Sequence, residues 1–490
     1  MKELAVFINQ SGGVPVYEQI YEFIKREIRK GNIKTGERLP STRNMSSYLQ
    51  VSRSTVLASY EQLLAEGYIE ARERKGYYAI EIEKDFADNQ ENTINNSRDM
   101  VYINPYTIDF SPNGIETEHF PVNEWRKISK NIFTDEMKNL FNSGDKRGDD
   151  GLREQLAVFL QKSRGVKADK SRIILGAGNE NLLMLIKLLL PGNVIFAVEN
   201  PVYKKSYDIL RNFTDNVIPV GLDKDGLSVK ELEKSNADVA YLTPSHQYPL
   251  GIVMGIKRRV ELLNWASRKE DRYIIEDDYD SEFRYKGRPI PSLQSIDSGE
   301  KVIYMGTFSK SVTPAIRMSY IVLPKKLMDI YMKKTSYIGN TVSRIDQKYM
   351  EIFMKNGGFE RHLNRMRTIY KAKHDVMLNE LKTWKNINIS GENAGVHIIL
   401  EINNNMTEKE LVKRAAEEGV KVYPLSDYYI GGISNRLPGI IIGYSKLCSE
   451  KIINGLRILK KVWKIEKKDQ HILFMMDLQQ LMESHISDTY

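Results

Sequence analysis

The chain has 490 residues, 41% hydrophobic and 28% charged, with 72 Lys and Arg against 64 Asp and Glu and one cysteine, Cys448. That length exceeds what a single core supports, so two or three domains are expected. A disulfide framework is excluded, a lone thiol favours a reducing, cytoplasmic setting, and a net charge of +8 permits a polyanionic partner without requiring one. The apolar stretch at residues 4–8 is shorter than a signal core, and the most hydrophobic helical run, 182–190, carries Lys187. No targeting segment or membrane span is therefore expected.

Within residues 1–80, Tyr17, Ile20, Tyr21, Ile24 and Ile28 recur at helical spacing and stop near Gly31. Ser41 offers an N-cap for a second helix ending around Gln50. Ser52 caps a third, with Val56, Tyr60, Leu63 and Leu64 as its inward stripe and Gly67 as its stop. Two short strands, 68–71 and 76–80, flank the charged turn Arg72-Glu73-Arg74-Lys75. Three helices and a basic hairpin make the winged helix-turn-helix pattern, which suits duplex DNA. The first turn of the third helix presents Ser52, Arg53, Ser54 and Thr55 to the major groove, with Arg53 placed for a guanine edge or a phosphate. Arg38, Ser41, Thr42 and Arg43 flank it, and Arg72, Arg74 and Lys75 reach for phosphates or the adjacent minor groove. These 80 residues hold 12 Lys or Arg against 9 Asp or Glu, a net of only +3. Charge alone thus fits a helical interaction domain equally well. The motifs Arg38-Leu39-Pro40-Ser41-Thr42-Arg43, Ser52-Arg53-Ser54-Thr55-Val56 and Glu66-Gly67 resemble the DNA-binding domain of GntR-type regulators.

From 81 to about 106 half of the residues are Asp, Asn, Gln, Glu or Ser, leaving little to bury, which reads as a flexible polar linker. Residues 110–125 read as irregular, and 151–165 contain a helix with Leu152, Leu156 and Phe159 on one face. Between about 170 and 325, short apolar runs alternate with helical patterns, as in a doubly wound α/β core. Residues 107–327 form the large lobe and 328–463 a smaller α/β lobe, with strands at 387–390, 396–401 and 440–444 and helices at 407–418 and 448–463. The tail, 464–490, has helical apolar spacing and no assignable role.

Five apolar runs end in polar clusters. Residues 173–175 lead into Gly176-Ala177-Gly178-Asn179, 194–198 into Glu199-Asn200-Pro201-Val202-Tyr203, and 239–242 into Thr243-Pro244-Ser245-His246. Residues 273–275 lead into Glu276-Asp277-Asp278-Tyr279, and 302–305 into Gly306-Thr307-Phe308-Ser309-Lys310. Ligands of open parallel sheets bind beyond the carboxyl ends of the strands, so one rim receives hydroxyls, carboxylates, an aromatic, a histidine and a lysine. A lysine in a partly dry pocket near cations has a lowered pKa and forms a Schiff base with an aldehyde. Pyridoxal phosphate further needs a carboxylate at its ring nitrogen, for which Asp277 is the choice, and a donor to its ring hydroxyl, Tyr279. Tyr203 supplies an aromatic face. Gly178 and Asn179, at a helix start, join Thr307, Ser309 and Arg317 as a phosphate cup. Ala177 and His246 complete the cofactor set. Taken singly, each has an ordinary alternative: Lys310 a solvated lysine, Tyr203 a core residue, and the run 276–280 a Mg²⁺ site or an acidic loop.

Residues 276–285, Gly306-Thr307-Phe308-Ser309-Lys310 with Pro314 and Arg317, and residues 243–249 with Gly251 resemble the fold-type I, aspartate-aminotransferase-like domain. The complete chain resembles the MocR-type regulators within the GntR group. The resemblance implies that Lys310 carries pyridoxal phosphate, Asp277 pairs with its ring nitrogen and Tyr279 meets its ring hydroxyl. It also implies a head-to-tail, domain-swapped homodimer that binds double-stranded DNA and responds to an amine, an amino acid or the cofactor itself. Ser143 stands where relatives often carry tyrosine, Ala177 where a hydroxyl is usual, and Ala315 and Ser319 where glycines are usual. Lys205 replaces the arginine that takes the effector carboxylate in γ-aminobutyrate-responsive members, and Arg436 is the candidate for a second carboxylate contact. The expected function is a pyridoxal-phosphate-dependent transcriptional regulator. The alternatives are an aminotransferase with a fused DNA-binding domain and a DNA-binding protein whose sensing lobe takes no cofactor.

Overall fold

Two serine caps set the angles of the N-terminal helices. Ser41 Oγ accepts from the Asn44 amide and Ser52 Oγ from the Thr55 amide, each at 3.1 Å, starting helices Thr42–Leu49 and Arg53–Ala65. With helix Val16–Arg29 they enclose Ile20, Tyr21, Ile24, Ile28, Val56, Tyr60 and Leu63. Leu64, expected on the inward stripe, is 40% exposed. Ser59 takes the buried position instead, because its hydroxyl donates to the Tyr17 carbonyl at 2.7 Å and so ties the third helix to the first. Strands Ile69–Arg72 and Gly76–Ala79 pair antiparallel, Arg72 opposite Gly76, with Arg74 left-handed in the turn.

This computed structural model describes residues 13–81, 105–285, 290–335, 337–432 and 437–467. The expected linker falls outside them except at its ends, as do Arg436 and the tail beyond 467. The chain divides into two units, Met1–Ile103 and Asn104–Tyr490.

The second unit is built on an eight-stranded sheet. Its order is Ile173–Gly176, Ser319–Val322, Val302–Thr307, Tyr273–Asp278, Val239–Leu242, Phe196–Asn200, Val217–Asp223, Gly226–Leu227. The five strands from Val302–Thr307 to Val217–Asp223 are parallel, and their near-continuous Val, Ile and Leu content suits burial on both faces. Ser319–Val322, absent from the sequence expectation, is inserted antiparallel to both neighbours. One face of the sheet carries helices Asn179–Leu189 and Lys325–Lys334; the other carries Asp150–Arg164 and Ile256–Ser267. The smaller lobe packs helices Gly358–Leu381, Glu408–Glu417 and Ser449–Val462 against strands Ile387–Ser390, His397–Ile402, Gly439–Gly443 and Tyr423–Pro424 around Trp384 and Trp463.

Two boundaries differ from those expected. Ile108–Asp109 pairs with Val420–Lys421, and Ile108 and Phe110 pack into the smaller lobe's core, so that lobe claims the leading segment assigned to the larger one. Helix Arg344–Lys355, assigned to the smaller lobe, packs on Asp150–Arg164 in the larger. Residues 110–125, expected to be irregular, run into helix Val122–Ile132, in which Trp125 stacks on Tyr349 at 5.5 Å. Trp125, Ile128 and Ile132 do follow helical spacing, which Pro121 interrupts only on its N-terminal side.

Candidate functional site

The parallel strands deliver their polar ends to one cavity of about 270 Å³, near the small end of the range for ligand pockets. Lys310, Asp277 and Tyr279 line it, as do Tyr203 and Asn179. Thr307, Ser309 and Arg317 form one wall, and Lys205 stands at the same wall.

Lys310 is half-buried and donates to the Pro112 carbonyl at 3.1 Å. Burial pushes its amine down to about 8, against the pull of Asp280 in the other direction. Thr307 Oγ1 is held at 2.9 Å by the Ser319 hydroxyl and at 3.1 Å by the Ser309 amide, which fixes the strand end before the lysine. Ser319 thus has a side-chain task where a glycine has none.

Asp277 is buried at the end of Tyr273–Asp278. Asn179 Nδ2 donates to Oδ1 at 3.1 Å and the Tyr241 hydroxyl donates to Oδ2, while Ser206 Oγ lies 2.9 Å from that hydroxyl. Burial pushes the Asp277 carboxyl up to about 7, with Asp278 and Asp280 adding to the rise against the Tyr241 and Asn179 hydrogen bonds. Tyr241 and Ser206 were not anticipated. The only signal was a tyrosine inside a run otherwise fit for a buried strand, where its hydroxyl needs a partner.

The direction of the Asp277 shift gives a stability prediction. Its ordinary value is 3.8, so between about 4 and about 7 the folded chain holds a proton that the unfolded chain has lost. Stability therefore falls as pH rises through that window. Cofactor-free Asp277→Asn is expected to be more stable than the parent at about pH 8, by ~2–4 kcal/mol, with the gain shrinking toward about pH 4. Urea unfolding across that range checks it.

The rest of the acidic run is spent inside the protein. Glu276 accepts from the Leu293 and Gln294 amides at 2.8 and 2.9 Å, and Asp278 pairs with Arg164 at 2.9 Å. His246 does not line the cavity. It lies behind Tyr279, whose hydroxyl is 3.0 Å from its Nδ1, and that nitrogen is 2.9 Å from Asp280 Oδ2.

At the cup, Gly178 precedes helix Asn179–Leu189 with φ +93°, a conformation that favours glycine. A Cβ there would sit 2.3 Å from Arg317 Nη2, so the glycine keeps space for the guanidinium. Ala177 contributes only backbone: its amide donates to Thr341 Oγ1 at 3.0 Å and its carbonyl accepts from Arg317 at 3.3 Å. Glu180, also unanticipated, pairs with Arg317 at 2.7 Å and with Lys205. Asn179 Oδ1 is buried without a hydrogen-bond partner among the described residues. A half-buried lysine, a buried carboxyl held by two donors, strand-end hydroxyls and a glycine cradle at a helix start together fit pyridoxal phosphate.

In the first unit, Arg38, Arg43, Arg53, Arg74 and Lys75 are exposed and have no carboxylate partner among the described residues. Ser52 and Ser54 are exposed at the start of the third helix, with Ser52 Oγ 2.7 Å from both Ser54 Oγ and Thr55 Oγ1. Thr42 is buried, and its hydroxyl accepts from Arg53 Nε at 3.4 Å, so it supports the arginine rather than facing outward. Arg72 is engaged by Glu70 at 2.6 Å and lies over the Tyr78 ring at 4.3 Å.

Residues 107–437 match the family Aminotransferase class I and II, and residues 16–78 match the bacterial regulatory proteins of the gntR family. Fold and site thus define a DNA-binding regulator whose second domain has the fold-type I aminotransferase architecture. The chain is 36% identical to the uncharacterized HTH-type transcriptional regulator YdeL of Bacillus subtilis, over 94% of this chain and 100% of that protein. It is 30% identical to the probable rhizopine catabolism regulatory protein MocR of Rhizobium meliloti, over 93% and 95%. The chain belongs to the MocR-type transcriptional regulators of the GntR group. Its aminotransferase-like domain is similar to kynurenine aminotransferase of Pyrococcus horikoshii, solved in complex with PMP, with a TM-score of 0.65 and 25% identity over 73% of this chain and 90% of that one. Class I and II aminotransferases use pyridoxal phosphate. Among the described residues, no helix is long and apolar enough to cross a membrane.

Proposed function

We propose that this regulator binds promoter DNA through its winged helix in the cytoplasm and senses an amine, an amino acid or the cofactor itself at Lys310. The observation that carries the reading is one cavity holding a lysine amine brought down to about 8 and a buried, doubly held carboxyl, on a chain that begins with a winged helix. When bound, pyridoxal phosphate supplies an aldehyde open to exchange between amines and a ring that withdraws electrons. Lys310 offers a nitrogen that loses its proton near neutrality. Asp277 holds a proton at the ring nitrogen, and Asn179 and Tyr241 keep its carboxyl pointed. Tyr279 faces the ring hydroxyl, with His246 and Asp280 steadying its phenol from behind. Tyr203 covers one ring face. Thr307, Ser309, Arg317 and the helix start at Gly178 hold the phosphate.

A winged helix reads paired half-sites as a dimer, so the working unit is taken to be the head-to-tail homodimer implied by the family resemblance. Effector binding must favour one of two states of that dimer to alter DNA affinity. The test is to reduce the protein with borohydride after adding pyridoxal phosphate, map the adduct, and titrate DNA with and without added amines. An adduct on Lys310 together with amine-dependent DNA affinity supports the reading. An unlabelled Lys310 removes the sensing half. Steady exchange of amino donor with keto acid, undiminished after removal of residues 1–80, would instead make the chain an enzyme.

A further inference from the structure

Glu180 and Asp277 are the only carboxylates among the described residues lining the Lys310 cavity, and Glu180 is already committed. Its Oε2 accepts from Arg317 Nη2 at 2.7 Å and its Oε1 takes the Lys205 ammonium. Apart from Lys310, these are the cavity's cations among the described residues. One internal anion therefore holds both the arginine assigned to the phosphate and the lysine assigned to an effector carboxylate. Burial pushes the Glu180 carboxyl up, but hydrogen bonds from Lys205, the backbone and Arg317 bring it down to about 2, so it stays ionised at neutral pH. It leaves Arg317 by moving, not by taking up a proton.

Two cations and one carboxylate leave one positive charge at this wall. A dianionic phosphate added with the carboxylate in place reverses that sign, and the two anions then repel at contact distance. The three side chains are 26%, 51% and 54% exposed for Glu180, Arg317 and Lys205, so solvent reaches the exchange. Resting on the cofactor reading above, we propose that Glu180 is a competing internal anion. It occupies the phosphate-binding arginine, yields it when pyridoxal phosphate enters, and afterwards neutralises Lys205. Lys205 is then a weak receptor for an effector carboxylate, and the wall selects ligands whose phosphate can displace Glu180.

Full-length parent and Glu180→Gln are titrated with inorganic phosphate, followed by ³¹P line broadening, and with pyridoxal phosphate and pyridoxal, followed by absorbance. Glu180→Gln is expected to bind phosphate and pyridoxal phosphate about tenfold more tightly and pyridoxal without change. Unchanged or weaker phosphate binding overturns the proposal, as does an equal gain for pyridoxal. Glu180→Ala, which also removes the carboxylate, is expected to show the same gain and serves if the glutamine variant does not fold. If neither protein yields an imine band, the cofactor reading falls, and the phosphate titration still decides the role of Glu180.

Discussion

Lys310→Ala is expected to abolish covalent capture of pyridoxal phosphate. Lys310 is a half-buried amine of the cavity that burial brings down to about 8, and Lys205, the other lysine lining it among the described residues, is held by Glu180. Residual binding then rests on the phosphate cup and Asp277, and affinity is expected to fall about 100-fold, or ~2.7 kcal/mol. The imine absorbance and the borohydride-fixed adduct should both disappear. DNA binding itself should persist, because the winged helix has its own core, but added amine should no longer change it. A variant that still responds to amine would show that the signal arises away from this nitrogen.

Arg53→Ala should produce the largest loss on the DNA side. Arg53 is the first residue of its helix, exposed, and among the described residues its side chain is tied only by a 3.4 Å hydrogen bond to Thr42, so its removal should leave the fold intact. Loss of a base or phosphate contact there is expected to cost ~1–3 kcal/mol in affinity for a duplex selected by the full-length protein from a random pool. Relaxed sequence preference would identify a base contact. Uniform weakening with a salt slope reduced by about one would identify a phosphate contact. The pyridoxal phosphate absorbance should not change. An affinity equal to the parent's would remove Arg53 from the interface.

The parts of the fold that repeat a pattern were readable from sequence. Ser41 and Ser52 announced their helices through capping chemistry, and five apolar runs ending in polar clusters marked the strands that carry Asn179, Tyr203, Asp277 and Lys310 to one rim. What escaped depends on partners distant in the chain. Ser319–Val322 has the composition of a parallel strand, yet it pairs antiparallel, because direction is set by the connection and not by residue type. Glu180 sits beside the expected cup, but its partners lie 25 and 137 positions away. The two-residue pairing of Ile108–Asp109 with Val420–Lys421 leaves no periodic trace at all. His246 shares its segment with cavity residues, but its ring turns toward Asp280 behind Tyr279, a choice that spacing does not encode.

The Pro112 carbonyl accepts its hydrogen bond from the very nitrogen proposed to exchange partners. Just upstream, Ile108 and Phe110 are anchored in the smaller lobe, and the chain continues from there back to the DNA reader. Turning that nitrogen to another partner would leave the Pro112 carbonyl without its Lys310 donor. On the reading proposed above, the occupancy of a single amine would be felt, through one carbonyl, by the segment that carries Ile108 and Phe110 into the smaller lobe.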